Sequence, residues 1–163
     1  MYKHILVPTD GSHLSEEAAA AAIRIAASFG ARITALHVVP EPAGTGLDAW
    51  THDDARFEEH LEKVLESRGE QYLSNIRDMA RFAGVACDCA LVRGESPSAE
   101  IVVQARDRRC DLIVMASHGR SGADAVILAS ETVKVMTLGD LPVLVHRAVR
   151  RTTRAAQAVA AAG

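Results

Sequence analysis

Short apolar runs alternate with longer amphipathic stretches along the chain. The apolar runs have the length and branched residues of buried strands, and they cover Lys3–Thr9, Ala31–Val39, Val85–Gly94, Cys110–Ser117 and Leu141–Arg147. The stretches between them predict four helices, at Ser15–Gly30, about Asp53–Ala83, from Ser96 onward, and Gly122–Gly139. Strands that are apolar throughout and are separated by helices are typical of a parallel sheet covered on both faces. The pattern therefore predicts the order βαβαβαβαβ.

The helix ends carry recognisable signals. Ser15 is predicted as the N-cap of the first helix and Gly30 as its end. Ser96 is predicted as the N-cap of the third helix, with Pro97 at the first helical position. The segment Pro40–Thr51 is rich in proline and glycine, so it is predicted as a loop.

Right-handed crossovers restrict how such strands can be arranged. They favour a doubly wound, five-stranded parallel sheet of the Rossmann or flavodoxin type, with strand order 3-2-1-4-5. The 163 residues are predicted to form one domain over residues 1–147, followed by a flexible tail, basic and then alanine-rich, over residues 148–163.

Composition narrows the function classes. Apolar residues make up 48% of the chain and the formal net charge is −3, so a packed core is expected and a general nucleic-acid binder is not. No run of about 18 apolar residues is present, so no membrane partner is expected. The three cysteines lack disulfide spacing, which favours a reducing cytoplasm.

Two polar, glycine-containing turns are expected to meet where the winding of the sheet reverses. They are Pro8–Ser12 after the first strand and Ala116–Gly122 after the fourth. Asp10 either accepts hydrogen bonds from a sugar hydroxyl or base amine, or caps its own turn. Gly119 and Gly122 let backbone N–H groups approach an anion at a helix N-terminus.

Two further polar residues follow in the second turn and its helix. Arg120 either neutralises phosphate charge or is simply solvated. Ser130 reaches a phosphate only if the helix begins later than Gly122; otherwise it is an ordinary residue of the helix interior. The sequence therefore predicts an anion site whose extent depends on where this helix starts.

Five motifs, in this order and at these spacings, resemble the universal stress protein family over about Met1–Arg147. They are ILVPTDGS, ITALHVV, DLIVMASHGRSG, SETVKVM and LPVLVHR. The resemblance implies a five-stranded parallel α/β fold and a homodimer. It also implies ATP as a candidate cofactor, since some members of the family bind ATP and others do not.

The ATP-binding members carry a pattern of glycine, two residues, glycine, nine residues, glycine and serine or threonine. On this sequence the pattern falls on Ala116, Gly119, Ala129 and Ser130, so two of its glycines are alanines. Ala116 closes a strand, where a negative φ is natural, and is expected to be tolerated. Ala129 is the more serious departure, because it directly precedes Ser130, the residue that the pattern would place against the phosphate.

The resemblance also implies which residues would hold the nucleotide. Pro8, Thr9 and Asp10 would line the adenosine, and Val38, which also fits plain strand core, would offer main-chain groups to the adenine. The phosphate loop would contain Ala116, Ser117, His118, Gly119, Arg120, Gly122, Ala129 and Ser130. In this loop His118 is expected to brace the turn rather than to act as a base.

Two functions from different classes remain open. The first is an ATP-binding dimeric stress or signalling module, and the second is a dimeric interaction protein of the same fold that binds no nucleotide. No nucleophile with its base and no P-loop is present, so at most slow, incidental ATP hydrolysis is expected. A flavodoxin-like redox protein is disfavoured, because no aromatic residue flanks the turn after the first strand.

Histidine and cysteine residues elsewhere are interpreted as structural. Cys87 and Cys89 share one face of a strand, but with Cys110 they lack the paired spacing of a zinc site, and no metal is expected. His37 lies in an apolar strand and is predicted to be a hydrogen-bonded core histidine.

The final strand, Leu141–Arg147, is predicted to form the dimer contact. Val143, Leu144 and Val145 make it apolar, and Pro142 removes only one amide donor. Antiparallel pairing of two copies of this strand is therefore expected.

Overall fold

A five-stranded parallel sheet lies between two pairs of helices. The computed structural model describes residues 1–41, 52–117 and 131–147, without the side chains of residues 52–55 and 58. The elements are β1 (His4–Pro8), α1 (His13–Phe29), β2 (Arg32–Pro40), α2 (His52–Phe82), β3 (Cys87–Gly94), α3 (Pro97–Asp107), β4 (Leu112–Ala116), α4 (Glu131–Leu138) and β5 (Val143–His146). The strand order β3-β2-β1-β4-β5 confirms the predicted doubly wound sheet.

Each face of the sheet has its own hydrophobic core. Ile5 and Val7 of β1 point to the cluster shared with α1 and α2, whereas Leu6 between them joins the cluster under α3 and α4. All three side chains are fully buried. Since successive side chains of a strand face opposite sides, this double burial is why the strand sequence is apolar throughout.

The first helix begins earlier than the sequence predicts. Ser12, not Ser15, is the N-cap: its backbone is extended, and its hydroxyl accepts a 3.2 Å hydrogen bond from the Ser15 N–H. Ser15 is buried in the first turn, where its Oγ donates to the Ser12 carbonyl oxygen at 2.8 Å. Serine is a favoured N-cap residue, so either position could serve, and the tight turn after β1 places Ser12 at the N-cap.

Three predicted segments lie wholly or largely outside the described residues. They are most of the loop Pro40–Thr51, the first part of the fourth helix and the tail after Arg147. In the described parts of the chain, no helix has the length and apolar content needed to cross a membrane.

A buried polar pair lies toward the amino end of β1, at the opposite end of the strands from the two glycine-containing turns. His4 is 5% exposed, and its Nε2 is 2.8 Å from the hydroxyl of Thr34 on β2. Burial, followed by the nearby positive charge of Arg32, lowers the pKa of His4. The unfolded chain therefore takes up a proton on this imidazole more readily than the folded chain does.

Acid is expected to destabilise the protein through His4. The stability that neutral His4 contributes should be fully present above the unfolded pKa, about 6.5. It should be lost as the pH falls through the lower folded pKa, at a rate of at most about 1.4 kcal/mol per pH unit. Urea unfolding of the wild type and His4→Gln between pH 7 and pH 5 tests this. Glutamine keeps a hydrogen-bonding group near Thr34 but does not titrate, so its profile should be flatter.

The control is His60→Gln, which removes an exposed histidine of α2. Its pH profile should match that of the wild type. Identical slopes for the wild type and His4→Gln would contradict the prediction.

Candidate functional site

The candidate site lies where the winding of the sheet reverses. The chain runs from β1 to β2 and β3 on one side, then crosses to β4 and β5 on the other. The β1–β4 ladder pairs Ile5 with Leu112 and Leu6 with Ile113, so it stops before either strand ends. In a doubly wound sheet, the crevice beyond this point is where ligands bind.

The turn after β1 is held by its own side chains. The Thr9 N–H extends the sheet by donating to the Leu36 carbonyl oxygen at 2.8 Å. The Thr9 hydroxyl accepts from the Gly11 N–H at 3.1 Å and lies 3.0 Å from the Ser15 hydroxyl. Because it is buried and engaged in these contacts, the Thr9 side chain shapes the turn.

Asp10 forms the hydrogen bond that caps its own turn, which is one of the two roles predicted for it. Its Oδ1 accepts a 3.0 Å hydrogen bond from the Ser12 N–H. The bond shows that Asp10 caps its own turn. The contact of its carboxylate with a sugar hydroxyl or base amine stays a prediction.

His37 supports the same turn from β2. Its Nδ1 is 2.7 Å from the Thr9 carbonyl oxygen, which can only accept, so Nδ1 carries the proton. The ring also meets Tyr72 of α2 edge-to-face, with ring centroids 5.4 Å apart and planes at 77°. The predicted hydrogen bond of His37 is present, but its side chain is half-buried rather than part of the core. Tyr72 is a neighbour that the sequence does not reveal.

Val38 lies at the carboxyl end of β2, past its last pairing with β1. That ladder ends at Pro8 and Leu36. Main-chain groups of alternate β2 residues face β1, as the bonds of Arg32 to Lys3 and of Leu36 to Thr9 show. The main-chain groups of Val38 have this same orientation, so they face the space beyond the end of β1.

Ala116 and Ser117 end β4 close to the start of α4. The Thr132 hydroxyl donates to the Ala116 carbonyl oxygen at 2.7 Å, and the Ser117 N–H donates to the His146 carbonyl oxygen at 2.8 Å. Within the described residues, positive φ outside glycine is confined to Arg109. Ala116 thus has the negative φ expected from the sequence, and its methyl group causes no backbone strain.

Glu131 is a structural residue that the sequence reasoning missed. Its Oε2 accepts a 2.8 Å hydrogen bond from the Ser98 N–H in the first turn of α3, where the predicted cap Ser96 makes no side-chain cap bond. Burial acts to raise the pKa of Glu131, but hydrogen bonds from Lys134 and Ser98 outweigh it and the pKa is lowered. An acidic residue near the α4 start was the available signal, but its partner is 33 residues away in the sequence.

The remaining predicted phosphate-loop residues lie outside the described part of the chain. These are His118, Gly119, Arg120, Gly122, Ala129 and Ser130. Of the residues assigned to the nucleotide, the described ones at the carboxyl edge are Pro8, Thr9, Asp10, Val38, Ala116 and Ser117.

The cysteines are free thiols, and burial raises their pKa values. For both Cys87 and Cys110 the pKa is about 11, and that of Cys89 is raised as well. Across residues 1–41, 52–117 and 131–147, no three histidine, cysteine or acidic side chains are grouped so that they could hold a metal ion.

A doubly wound parallel sheet with polar turns at its reversal point defines a class of α/β proteins that bind ligands at the carboxyl edge. The model of the universal stress protein family matches residues 1–147. The chain belongs to the universal stress protein family.

Relatives in distant organisms agree with this assignment. Universal stress protein MJ0531 of Methanocaldococcus jannaschii is 36% identical over 148 residues, covering 89% of this chain and 82% of the relative. Universal stress protein YxiE of Bacillus subtilis is 32% identical over 149 residues, covering 90% and 100%. The solved structure of MJ0577, also from M. jannaschii, superimposes with a TM-score of 0.74 at 29% identity, covering 92% of this chain and 99% of that one.

Two other solved relatives are described with nucleotides. A universal stress protein in complex with cAMP has a TM-score of 0.67 at 22% identity, and covers 91% of this chain and 98% of its own. The protein from Archaeoglobus fulgidus in complex with dAMP has a TM-score of 0.61 at 20% identity, and covers 89% and 98%. At these identities the likeness shows the shared fold.

Proposed function

We propose that the protein binds an adenine nucleotide, ATP in particular, at the carboxyl edge of β1, β2 and β4. The observation that carries the proposal is the register of β2, which directs the main-chain groups of Val38 into the space beyond the end of β1. An adenine ring presents a donor and an acceptor on one edge, which suits a strand's main-chain groups. The cAMP and dAMP complexes of two structural relatives support the ligand class.

In this proposal each described residue contacts a different part of the nucleotide. Val38 would meet the base, Asp10 would accept from a ribose hydroxyl, and Pro8 and Thr9 would form the wall of the site. The phosphates would then extend toward Ser117 and the predicted anion loop, in which the sequence pattern assigns Ser130 to the phosphate. Binding at this edge requires no catalytic group, so the role we assign is that of a nucleotide-dependent module in stress or signalling.

We also propose that the chain forms a homodimer through β5. This strand is the outermost of the sheet on the β4 side, and Leu144 at its centre is 38% exposed. The carbonyl oxygen of Pro142 accepts from the Ile113 N–H of β4, and that of His146 accepts from the N–H of Ser117, the residue after β4. The main-chain groups of Val143 and Val145 therefore face outward. An apolar strand edge with outward donors and acceptors suits pairing with a second copy.

We place the protein in the cytoplasm, where a reducing environment maintains thiols. Cys87, Cys89 and Cys110 are all free, which agrees with this location.

Replacing Asp10 with alanine is expected to weaken ATP binding about ten- to a hundredfold, because a hydrogen bond to a charged group contributes about 1.5–3 kcal/mol. Isothermal titration calorimetry on the full chain, purified without added nucleotide, gives the affinity. Chromatography of the denatured supernatant shows whether nucleotide is carried through purification.

The control is Ser12→Ala, which removes the N-cap hydroxyl of α1 but leaves the Asp10 carboxylate in place. An equal loss of affinity in both variants would assign the effect to the shape of the turn rather than to contact with Asp10. If the wild type binds neither ATP nor AMP, the alternative follows: a dimeric interaction protein that retains the fold without the nucleotide. That alternative rests on the alanines at positions 116 and 129.

A further inference from the structure

The turn after β1 rests on two aromatic rings that connect it to α2. The imidazole of His37 is hydrogen-bonded to the Thr9 carbonyl oxygen at 2.7 Å. The Tyr72 ring packs directly against the Cα of Gly11 and meets His37 edge-to-face. The turn therefore contacts both rings, and Tyr72 connects it to α2.

Two glycines permit this close approach. A Cβ on Gly11 would overlap the Tyr72 ring, and Gly11 also has a positive φ of +74°. On α2, a Cβ on Gly69 would lie 2.5 Å from His37 Cδ2 and 2.6 Å from Leu91 Cδ1. Glycine costs stability in the middle of a helix, so its presence at position 69 fits a helix that must lie close to the sheet here.

The two contacts bracket Asp10. Thr9 precedes it and has its carbonyl group fixed by His37, and Gly11 follows it and has its Cα fixed by Tyr72. The peptide planes on both sides of Asp10 are thereby set from the α1/α2 face of the sheet. The direction of the Asp10 carboxylate at the carboxyl edge depends on those two planes.

We propose that His37 and Tyr72 are positioning residues that hold Asp10 and its turn in the conformation that receives an adenine nucleotide. The inference rests on the proposed function. Both rings act through the turn, so their loss lowers the fraction of molecules whose turn is ready to bind. A drop of that fraction to about one tenth would raise the apparent dissociation constant about tenfold.

The test compares ATP affinity in the full-length protein by calorimetry well below the melting temperature of every variant. Tyr72→Ala should weaken binding about tenfold, while Tyr72→Phe, which keeps the ring against Gly11, should weaken it clearly less. Tyr2→Ala is the matched control, because Tyr2 is a tyrosine that packs against the α1/α2 core cluster at the opposite end of β1. It should lower the melting temperature without changing the affinity.

The role of His37 is tested by keeping or removing the hydrogen-bond donor at the position of its Nδ1. His37→Asn places an amide N–H near the position of Nδ1 and should retain most of the affinity, whereas His37→Leu should lose it. Hydrogen exchange of the Gly11 and Ser12 amides in the nucleotide-free protein should accelerate in Tyr72→Ala and His37→Leu, and remain slow in Tyr72→Phe.

The outcomes separate the two proposals. If the wild type binds ATP and Tyr72→Ala binds it equally well, the positioning role is wrong and the nucleotide function stands. If the wild type binds no adenine nucleotide, the proposed function is wrong and the positioning role for such a ligand falls with it. If Tyr2→Ala weakens binding as much as Tyr72→Ala, the effect is one of general stability and the positioning role is again wrong.

Discussion

Gly11→Ala is expected to lower the free energy of unfolding by about 2–5 kcal/mol. The backbone at Gly11 is left-handed, with φ +74°, which costs an alanine about 1–2 kcal/mol. Its methyl group would also overlap the Tyr72 ring, and forcing extra volume into a packed contact costs about 1–3 kcal/mol. Urea unfolding followed by circular dichroism measures the total.

Gly84→Ala separates the two costs. Gly84 has a similar φ of +69°, but among the described residues other than its chain neighbours no atom lies within 4 Å of where its Cβ would be. This variant should therefore carry the backbone cost alone. In a Tyr72→Ala background, the cost of Gly11→Ala should fall to that of Gly84→Ala. Equal costs for the two glycines in the wild-type background would contradict the close contact between Tyr72 and the turn.

Val145→Pro is expected to convert the proposed dimer to monomer at micromolar concentration. Proline removes an outward-facing N–H donor and places its ring on the edge where a second β5 would pair. The ladder to β4 is left intact, because it uses Pro142, Leu144 and His146. Two copies of the change in each dimer would remove at least two hydrogen bonds and add steric conflict. The dissociation constant of the dimer should therefore rise about a hundredfold or more.

Val145→Thr serves as the matched control, since threonine keeps both the N–H and the branched side chain that strands favour. It should remain a dimer by sedimentation and light scattering. A monomeric wild type at micromolar concentration would show that β5 is not a dimer contact, and a dimeric Val145→Pro would place the contact elsewhere.

The hydrophobic pattern determined the fold class and the number of strands, because both depend on local periodicity, which is present in the sequence. Right-handed crossovers narrow the possible strand orders without fixing one, and the predicted order was confirmed by the structure. The turns at Pro8–Ser12 and after β4 could be placed at one edge for the same reason, because the carboxyl ends of parallel strands share it. Ala116 likewise has the strand φ that its position predicts.

The contacts that shape the candidate site were decided by the tertiary structure. Ser12 rather than Ser15 caps α1, because the turn after β1 closes sooner than the serine pattern indicates. At the start of α3 the carboxylate of Glu131, rather than the hydroxyl of Ser96, accepts the hydrogen bond from the Ser98 N–H. Tyr72 reaches Gly11 from the middle of a 31-residue helix whose periodicity gives no sign of the contact. Each contact joins groups that several kinds of residue could supply, so only the packing of the elements selects which side chains meet.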